Sequence, residues 1–560
     1  MKQIFATILA EHISTMTEKE ILDVIEYPKY ENVGDLSFPC FTLSKKLKQN
    51  PNQIAENLAF KIKKEEFEEI DDIQSINGYI NIFFKHQNIG TDVINHILQE
   101  KDNIGRQDIG SGQVITMDIS SPNIAKPFSM GHLRSTIIGN SIALIMEKLN
   151  YKPIKINHLG DWGTQFGKLI VAYQMWGDKK LVSRNPIPEL FKLYVKFHNE
   201  AEIHPQLEEE GRRAFLMLEK GEQEYTELWK WFREVSLESF NKLYERLNIS
   251  FDSYNGEAFY NDKMDDVIKQ LVEKNLLEKD QGAEVVKLES MPPALIKKNN
   301  GSTLYLTRDL ATAIYRKERY NFAYSYYFVG NEQSLHFQQL VKVLKLMDYQ
   351  WAENMEHIPF GMILQEGKKM STRKGKVVFL DDVLNNAVRI AKNNILSSAP
   401  QLPNIDKVAE QIGIGAVIFN DLKHDRQNDI EFNLDKMLKT EGNTCLYLQY
   451  TNARIHAIIR KANINTENLW VNNIDDEAWE IIKILNQFKE ILISSMNKKS
   501  PAEIARYLLQ LARQFNTYYG KVRILDDETM LINRLGIILA VSIIIEEGLR
   551  LLGIETPREL

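Results

Sequence analysis

The chain has 560 residues, 44% hydrophobic and 26% charged, which places it among soluble globular proteins with room for roughly three or four domains. Two cysteines, Cys40 and Cys445, exclude a disulfide framework and are too few for a thiolate zinc site, while the longest apolar stretch, 535–545, is too short to span a membrane. A formal net charge of −7 excludes a simple whole-molecule electrostatic account of nucleic-acid binding, and no positive-apolar-small leader pattern points to secretion.

The first segment, to about residue 110, mixes helical stretches such as 53–64 with an alternating run from Ile76 to Phe84. Ile76, Ile80, Ile82 and Phe84 are expected to share one face of a strand, giving a small α+β module. The module carries twelve Lys/Arg against eighteen Asp/Glu, so any RNA contact there must rest on shape, stacking or a local patch.

Residues 114–119 form a β-branched and apolar run bounded by Gly112 and Pro122, which predicts a buried strand. A polar loop follows. Beyond it, Leu133, Ile137, Leu144, Ile145 and Leu149 recur at near-helical spacing, so a helix is expected from Gly131 to about residue 151. The loop thus sits at the helix's positive end, where unpaired N–H groups and the macrodipole favour anions. Gly131 leaves room for close approach there, and Ser129 and His132 offer donors.

Strand and helix patterns alternate from about 111 to 380, as expected of a doubly wound parallel sheet, interrupted by a charged helical insertion at about 178–287. Trp229, Trp231, Phe232, Phe240 and Tyr244 lie in the insertion at spacings that suit helix packing. From Lys368 to Lys376 there are five cationic side chains and no acidic one. After residue 381 the chain turns almost wholly helical; Ile504, Leu508, Leu511, Phe515 and Tyr518 form an amphipathic stripe and a helical bundle is expected. Residues 446–524 hold eleven Lys/Arg against seven Asp/Glu, a better phosphate-contact candidate than the first module.

Ser129-Met130-Gly131-His132 resembles the HIGH signature of class I aminoacyl-tRNA synthetases with its first His replaced by Ser, and Lys369-Met370-Ser371-Thr372-Arg373 resembles their KMSKS loop. Further segments narrow the resemblance. SSPNIAKP from Ser120, NHLGDWGTQFG from Asn157, STLYLTRD from Ser302, GNEQSLHF from Gly330 and LYLQYTNAR from Leu446 together resemble the arginyl-tRNA synthetases over nearly the whole chain. The resemblance implies an α/β class I fold: an N-terminal α+β domain at 1–110 that contacts tRNA, a Rossmann-like catalytic domain at 111–380, and a helical region at 381–560 containing an anticodon-binding domain at about 441–560. It also implies attachment of L-arginine to tRNA(Arg) through an arginyl-adenylate, releasing AMP and pyrophosphate. ATP is expected with Mg²⁺, zinc and membrane are not, and the expected enzyme is a cytoplasmic monomer whose activation step waits for tRNA.

Residue roles follow from matching positions. His132, Lys369 and Ser371 are the expected catalytic donors, and Ser129, Gly131, His336 and Met370 complete the ATP contacts. Arginine is expected to meet Asp118, Ser120, Asn123, Tyr305, Asp309 and Gln333, because a guanidinium with five donors suits carboxylates and a flat aromatic neighbour. Which carboxylate takes which end of the substrate stays open. Tyr447, Gln449, Asn452 and Arg454 are candidate tRNA contacts on a helix of which half faces core, and Arg454 equally suits a salt bridge. For His158 and Asp161 a satisfied turn beside Trp162 is as good a reading as direct catalysis. Two alternatives are another nucleotide-transfer enzyme of the superfamily, and a tRNA-binding protein that has lost its chemistry, to which Ser129 gives some weight.

Overall fold

The computed structural model describes residues 1–30, 33–65, 67–297, 305–369 and 379–560, with the main chain alone at 368–369. Met370 and Ser371, and the start of the segment leading to Tyr305, lie outside the described residues. The chain divides into two compact units, one of residues 1–104, 454–490 and 508–547, the other of residues 105–453, 491–507 and 548–560.

The first unit contains an antiparallel sheet of β1 (Leu36–Pro39), β2 (Ile70–Ile76) and β3 (Tyr79–Phe84) in the order β1-β3-β2. The alternating run read as one strand is in fact the joint of a hairpin. Asn77 and Gly78 take positive φ, 50° and 80°, and Ile76 pairs with Tyr79 across the turn. An Asn-Gly pair adopts this two-residue turn at little cost. Ile80, Ile82 and Phe84 share the buried face as expected, whereas Ile76 belongs to the other strand and is only partly buried. Helix Pro51–Ile62 packs on this sheet, started by the Asn50 side chain and by Pro51 in its first turn.

C-terminal helices join this module in the same unit. Helix Trp479–Asn486 packs on helix His86–Glu100, and the Trp479 indole stacks on His86 with ring centres 4.1 Å apart. Trp479 Nε1 donates to Oδ1 of buried Asp35 at 2.8 Å, whose Oδ2 accepts from the Phe84 N–H at 2.9 Å. Asn95 and Val471 exchange two hydrogen bonds of 2.8 Å. Gly90 leaves space for Ile474, whose Cδ1 would lie 2.5 Å from an added Cβ.

The second unit is built on a parallel sheet. Its strands are β4 (Val114–Ser120) and β5 (Lys152–Asn157), then, beyond a small antiparallel sheet of β6 (Leu277–Asp280), β7 (Ala283–Val286) and β8 (Ala294–Lys297), β9 (Tyr324–Tyr327) and β10 (Met355–His357). The order β10-β9-β4-β5 places β4 centrally, fully buried from Ile115 to Ser120. Helix Met130–Lys148 crosses from β4 to β5, and Gly139 lets it approach so closely that an added Cβ would lie 2.3 Å from Ile119 Cγ2. A second small sheet, β11 (Ile363–Gln365), β12 (Lys368–Lys369) and β13 (Ile430–Glu431), has the order β12-β11-β13.

In the insertion, Phe232, Phe240 and Tyr244 of helix Gln223–Arg246 are buried, while Trp229 and Trp231 are partly exposed. The stripe from Ile504 to Tyr518 is buried along its length, as its spacing requires. No helix among the described residues is long and apolar enough to cross a membrane.

Candidate active site

β4 is the switch point of the parallel sheet, since the chain leaves it toward β5 on one side and β9 on the other, and ligands of such sheets bind at the carboxyl ends of the strands beside that point. Asp118 and Ser120 end β4, Asn157 ends β5 with His158 just beyond it, and Tyr327 ends β9.

The start of helix Met130–Lys148 is arranged around His132. The Ser129 N–H donates to His132 Nδ1 at 3.2 Å, and the Ser129 hydroxyl lies at the same distance from that nitrogen. A backbone N–H can only donate, so Nδ1 is the acceptor and the neutral ring carries its proton on Nε2. Burial, reinforced by the positive charge of Lys126, pushes the imidazole down to about 4, so the ring is neutral at pH 7. Ser129 therefore orients the signature histidine. Gly131 is exposed, and among the described residues an added Cβ would meet only Ser129 Oγ, at 3.6 Å, so their packing leaves this space open. Lys126, passed over in the sequence, stands near this ring, with Nζ 3.2 Å from Gln165 Oε1 and 4.7 Å from the Tyr194 ring centre. Its position in SSPNIAKP, six residues before His132, was the available signal.

Beneath the strand ends lies a polar network. Thr136 Oγ1 donates to Ser120 Oγ at 2.9 Å, and Tyr244 OH lies 2.9 Å from both Ser120 Oγ and Asn157 Nδ2. Ser120 is 1% exposed, so its hydroxyl supports the floor of the site. Asn123 bridges Gly160 through the main chain, and its Oδ1 would be 2.4 Å from a Cβ at that position. Asp118 is already paired: Arg316 Nη2 donates to its Oδ2 at 2.8 Å, with both residues buried, and His158 Nδ1 lies 3.4 Å from the same guanidinium nitrogen. That internal arginine takes up the charge that the sequence offered to the substrate.

The remaining carboxylates gather nearby. Asp309 Oδ2 accepts from His336 Nε2 at 2.6 Å, linking a residue expected at arginine to one expected at ATP. Tyr305, one helical turn before Asp309, is 66% exposed, with the Arg308 guanidinium 5.9 Å from its ring centre. Glu257 was missed in the sequence. It opens the 3-10 turn Glu257–Lys263, and Arg308 Nη1 lies 3.5 Å from its Oε2. Burial pushes its carboxyl up to about 7, Arg308 opposing and Asp309 and Asp161 adding to the rise. Only the fold brings it to Asp309, and no local pattern marks it.

Asp161 is a satisfied turn. Arg233 Nε and the Ala258 N–H each donate to its carboxylate at 2.9 Å, and Trp229 Nε1 donates to its carbonyl at 2.7 Å. Gln333 is exposed in the 3-10 turn Asn331–Gln333. Lys369 is described only by its main chain, paired with Leu364. On helix Cys445–Ala462, Gln449 and Asn452 are 0% exposed, and Gln449 Nε2 donates to the Glu555 carbonyl at 3.0 Å. These two face the interior, so a direct RNA contact needs Tyr447 or Arg454 instead. Arg454 Nη1 donates to Asn516 Oδ1 at 2.7 Å and lies over the Tyr519 ring.

Known proteins resemble the chain from end to end. Residues 93–434 match the model of the class I (R) tRNA synthetase catalytic domain, 448–560 the DALR anticodon binding domain and 3–84 the arginyl tRNA synthetase N terminal domain. Arginine-tRNA ligases of Enterococcus faecalis and Exiguobacterium sibiricum are each 50% identical to the chain, covering 100% of both partners. The chain belongs to the arginine-tRNA ligase family. Its fold is that of the solved arginyl-tRNA synthetases of Thermus thermophilus, with a TM-score of 0.83 at 21% identity over 100% of both chains, and Plasmodium falciparum, with 0.82 at 24% over 100% of this chain and 98% of that one.

Proposed function

We propose that the chain is an ATP-dependent ligase that joins L-arginine to tRNA(Arg). The observation that carries the reading within the molecule is the neutral, proton-donating His132, held by Ser129 at the start of the helix that follows the central strand β4. The arginine carboxylate attacks the α-phosphorus of ATP and pyrophosphate leaves. A ribose hydroxyl of the tRNA terminus then attacks the arginyl carbonyl and AMP leaves. No covalent bond to the protein is needed, so catalysis is alignment and stabilisation of phosphate charge.

In this reading His132 Nε2–H donates to a phosphate oxygen, Gly131 admits the phosphate, Lys126 adds positive charge, and Lys369, Ser371 and Met370 contact the triphosphate from their own segment. Glu257 and Asp309 hold the guanidinium and ammonium groups of arginine, the Tyr305 ring lies along the side chain, and Asn123 and Gln333 fix the amino-acid end. Asp118 acts through Arg316 and Ser120 through Tyr244. His336 connects the two substrates through Asp309. Mg²⁺ would accompany ATP, held mainly by phosphate oxygens and water, and Asp118 and Asp161 are engaged by Arg316 and Arg233. Domains at about 1–110 and 441–560 contact the tRNA, activation waits for it, and the enzyme acts as a cytoplasmic monomer.

Charging of bulk tRNA with labelled arginine, against lysine, cysteine and glutamine, tests the reading. Arginine alone should be charged, and His132→Ala and Lys369→Ala should each lose ~10²–10³ in rate. Brisk pyrophosphate exchange without RNA would overturn the tRNA requirement, and absence of any charging would return the chain to the binding-protein reading.

A further inference from the structure

Arg134 lies two residues after His132 and has no exposed surface. Its Nε donates to Asp421 Oδ1 at 3.3 Å and its Nη1 to the Met362 carbonyl at 3.4 Å. The same carbonyl accepts the Ile430 N–H at 2.9 Å, while the Met362 N–H donates to Asp429 Oδ1 at 2.7 Å. Met362 immediately precedes β11, whose hairpin partner β12 ends at Lys369. Beyond residue 378 the Leu380 N–H donates to the Phe128 carbonyl at 3.0 Å, and Phe379 bridges Ser129. Both flanks of the KMSTR segment are thus fastened to the start of the helix that carries His132.

The ion pair is poorly built for stability alone. Arg134 Nη2 and Asp421 Oδ2 are both buried without a hydrogen-bond partner among the described residues, and the contact is single and long. A buried pair of this kind is commonly replaced by apolar side chains at no loss of stability. An apolar pair has no donor for the Met362 carbonyl, and among the described residues that is the one contact in which Arg134 links the two signature elements.

We propose that Arg134 is a positioning residue for ATP: through the Met362 carbonyl it sets the separation between the helix start bearing His132 and the strand leading to Lys369, so that both meet one triphosphate. The proposal rests on the ATP reading of these two segments.

The test uses the full chain and four variants, Arg134→Met, Arg134→Lys, Asp421→Asn and the double Arg134→Met/Asp421→Leu, each assayed by arginine charging and by melting. The double variant should melt within about 2 °C of the natural chain, yet its KM for ATP should rise about tenfold while that for arginine stays within about twofold. Arg134→Lys, which retains a donor, should recover most of the ATP affinity. Asp421→Asn keeps the donor to Met362 and should leave the KM for ATP within about twofold even if it melts earlier. A double variant with the natural KM for ATP overturns the proposal. So does an Asp421→Asn variant as impaired toward ATP as Arg134→Met, or a rise in both Michaelis constants that tracks lost stability. If the natural chain charges no tRNA with arginine, the ligase reading fails by itself; equilibrium dialysis with labelled ATP on the natural and Arg134→Met chains then decides this one.

Discussion

Arginine binding should expel a proton, and Glu257 sets how much. The carboxyl has been pushed by burial from 4.5 to about 7, so at pH 7 about half of the ligand-free molecules carry it protonated. A guanidinium or ammonium arriving beside it favours the carboxylate and drives that proton off. Release should be about half a proton at pH 7, nearly one at pH 6 and close to zero at pH 9. Arginine affinity should accordingly fall about tenfold from pH 8 to pH 6, equivalent to about 1.4 kcal/mol. The folding sign is the reverse of the usual carboxylate case. Because the folded value lies above the ordinary one, the cost of holding Glu257 appears as pH rises from 4.5 through 7 and reaches about 3 kcal/mol, which bound arginine relieves. Calorimetric titration of arginine at pH 7, with tRNA present, in phosphate and in Tris measures the protons directly, since the buffers differ in ionisation enthalpy. Identical heats in the two buffers would refute the reasoning, as would equal release from Glu257→Gln.

Arg316→Met leaves Asp118 as an unpaired buried charge and should cost about 3–5 kcal/mol, read by thermal unfolding, with most of it returned in the double variant Arg316→Met/Asp118→Leu. Trp479→Phe keeps the stack on His86 but removes the indole donor from Asp35 Oδ1, leaving that oxygen only Lys483 Nζ at 3.7 Å among the described residues, and chemical denaturation should register about 1–3 kcal/mol in the unit that contains it. Gly139→Ala forces a methyl against Ile119 and should cost about 1–3 kcal/mol in the same assay.

The β4 strand and the helix after it were legible because an apolar run and a 3.6-residue stripe are local signals, and the motif at His132 falls where they join. The hairpin at Asn77-Gly78 was obscured because apolar residues continue on both sides of it, so the phase of alternation was carried through a turn that resets it. Asp309 could be found from its segment, but neither its bond to His336 nor the presence of Glu257, 52 positions earlier, is written in any local pattern. Asp118 illustrates a different limit: the sequence shows a carboxylate at the right strand end and cannot show that Arg316, 198 residues later, already holds it. On helix Cys445–Ala462 the motif gave the residues but not the rotation, and Gln449 and Asn452 turned out to face inward.

The seam between Asp35 and Trp479 has a meaning for biosynthesis. At about 5–20 residues per second, a ribosome that has released Asp35 needs roughly 20–90 s to deliver the indole that satisfies it, 444 positions later. Throughout that interval the first hundred residues wait with part of their core uncovered, so the nascent chain should hold its longest-lived vulnerability at its oldest end.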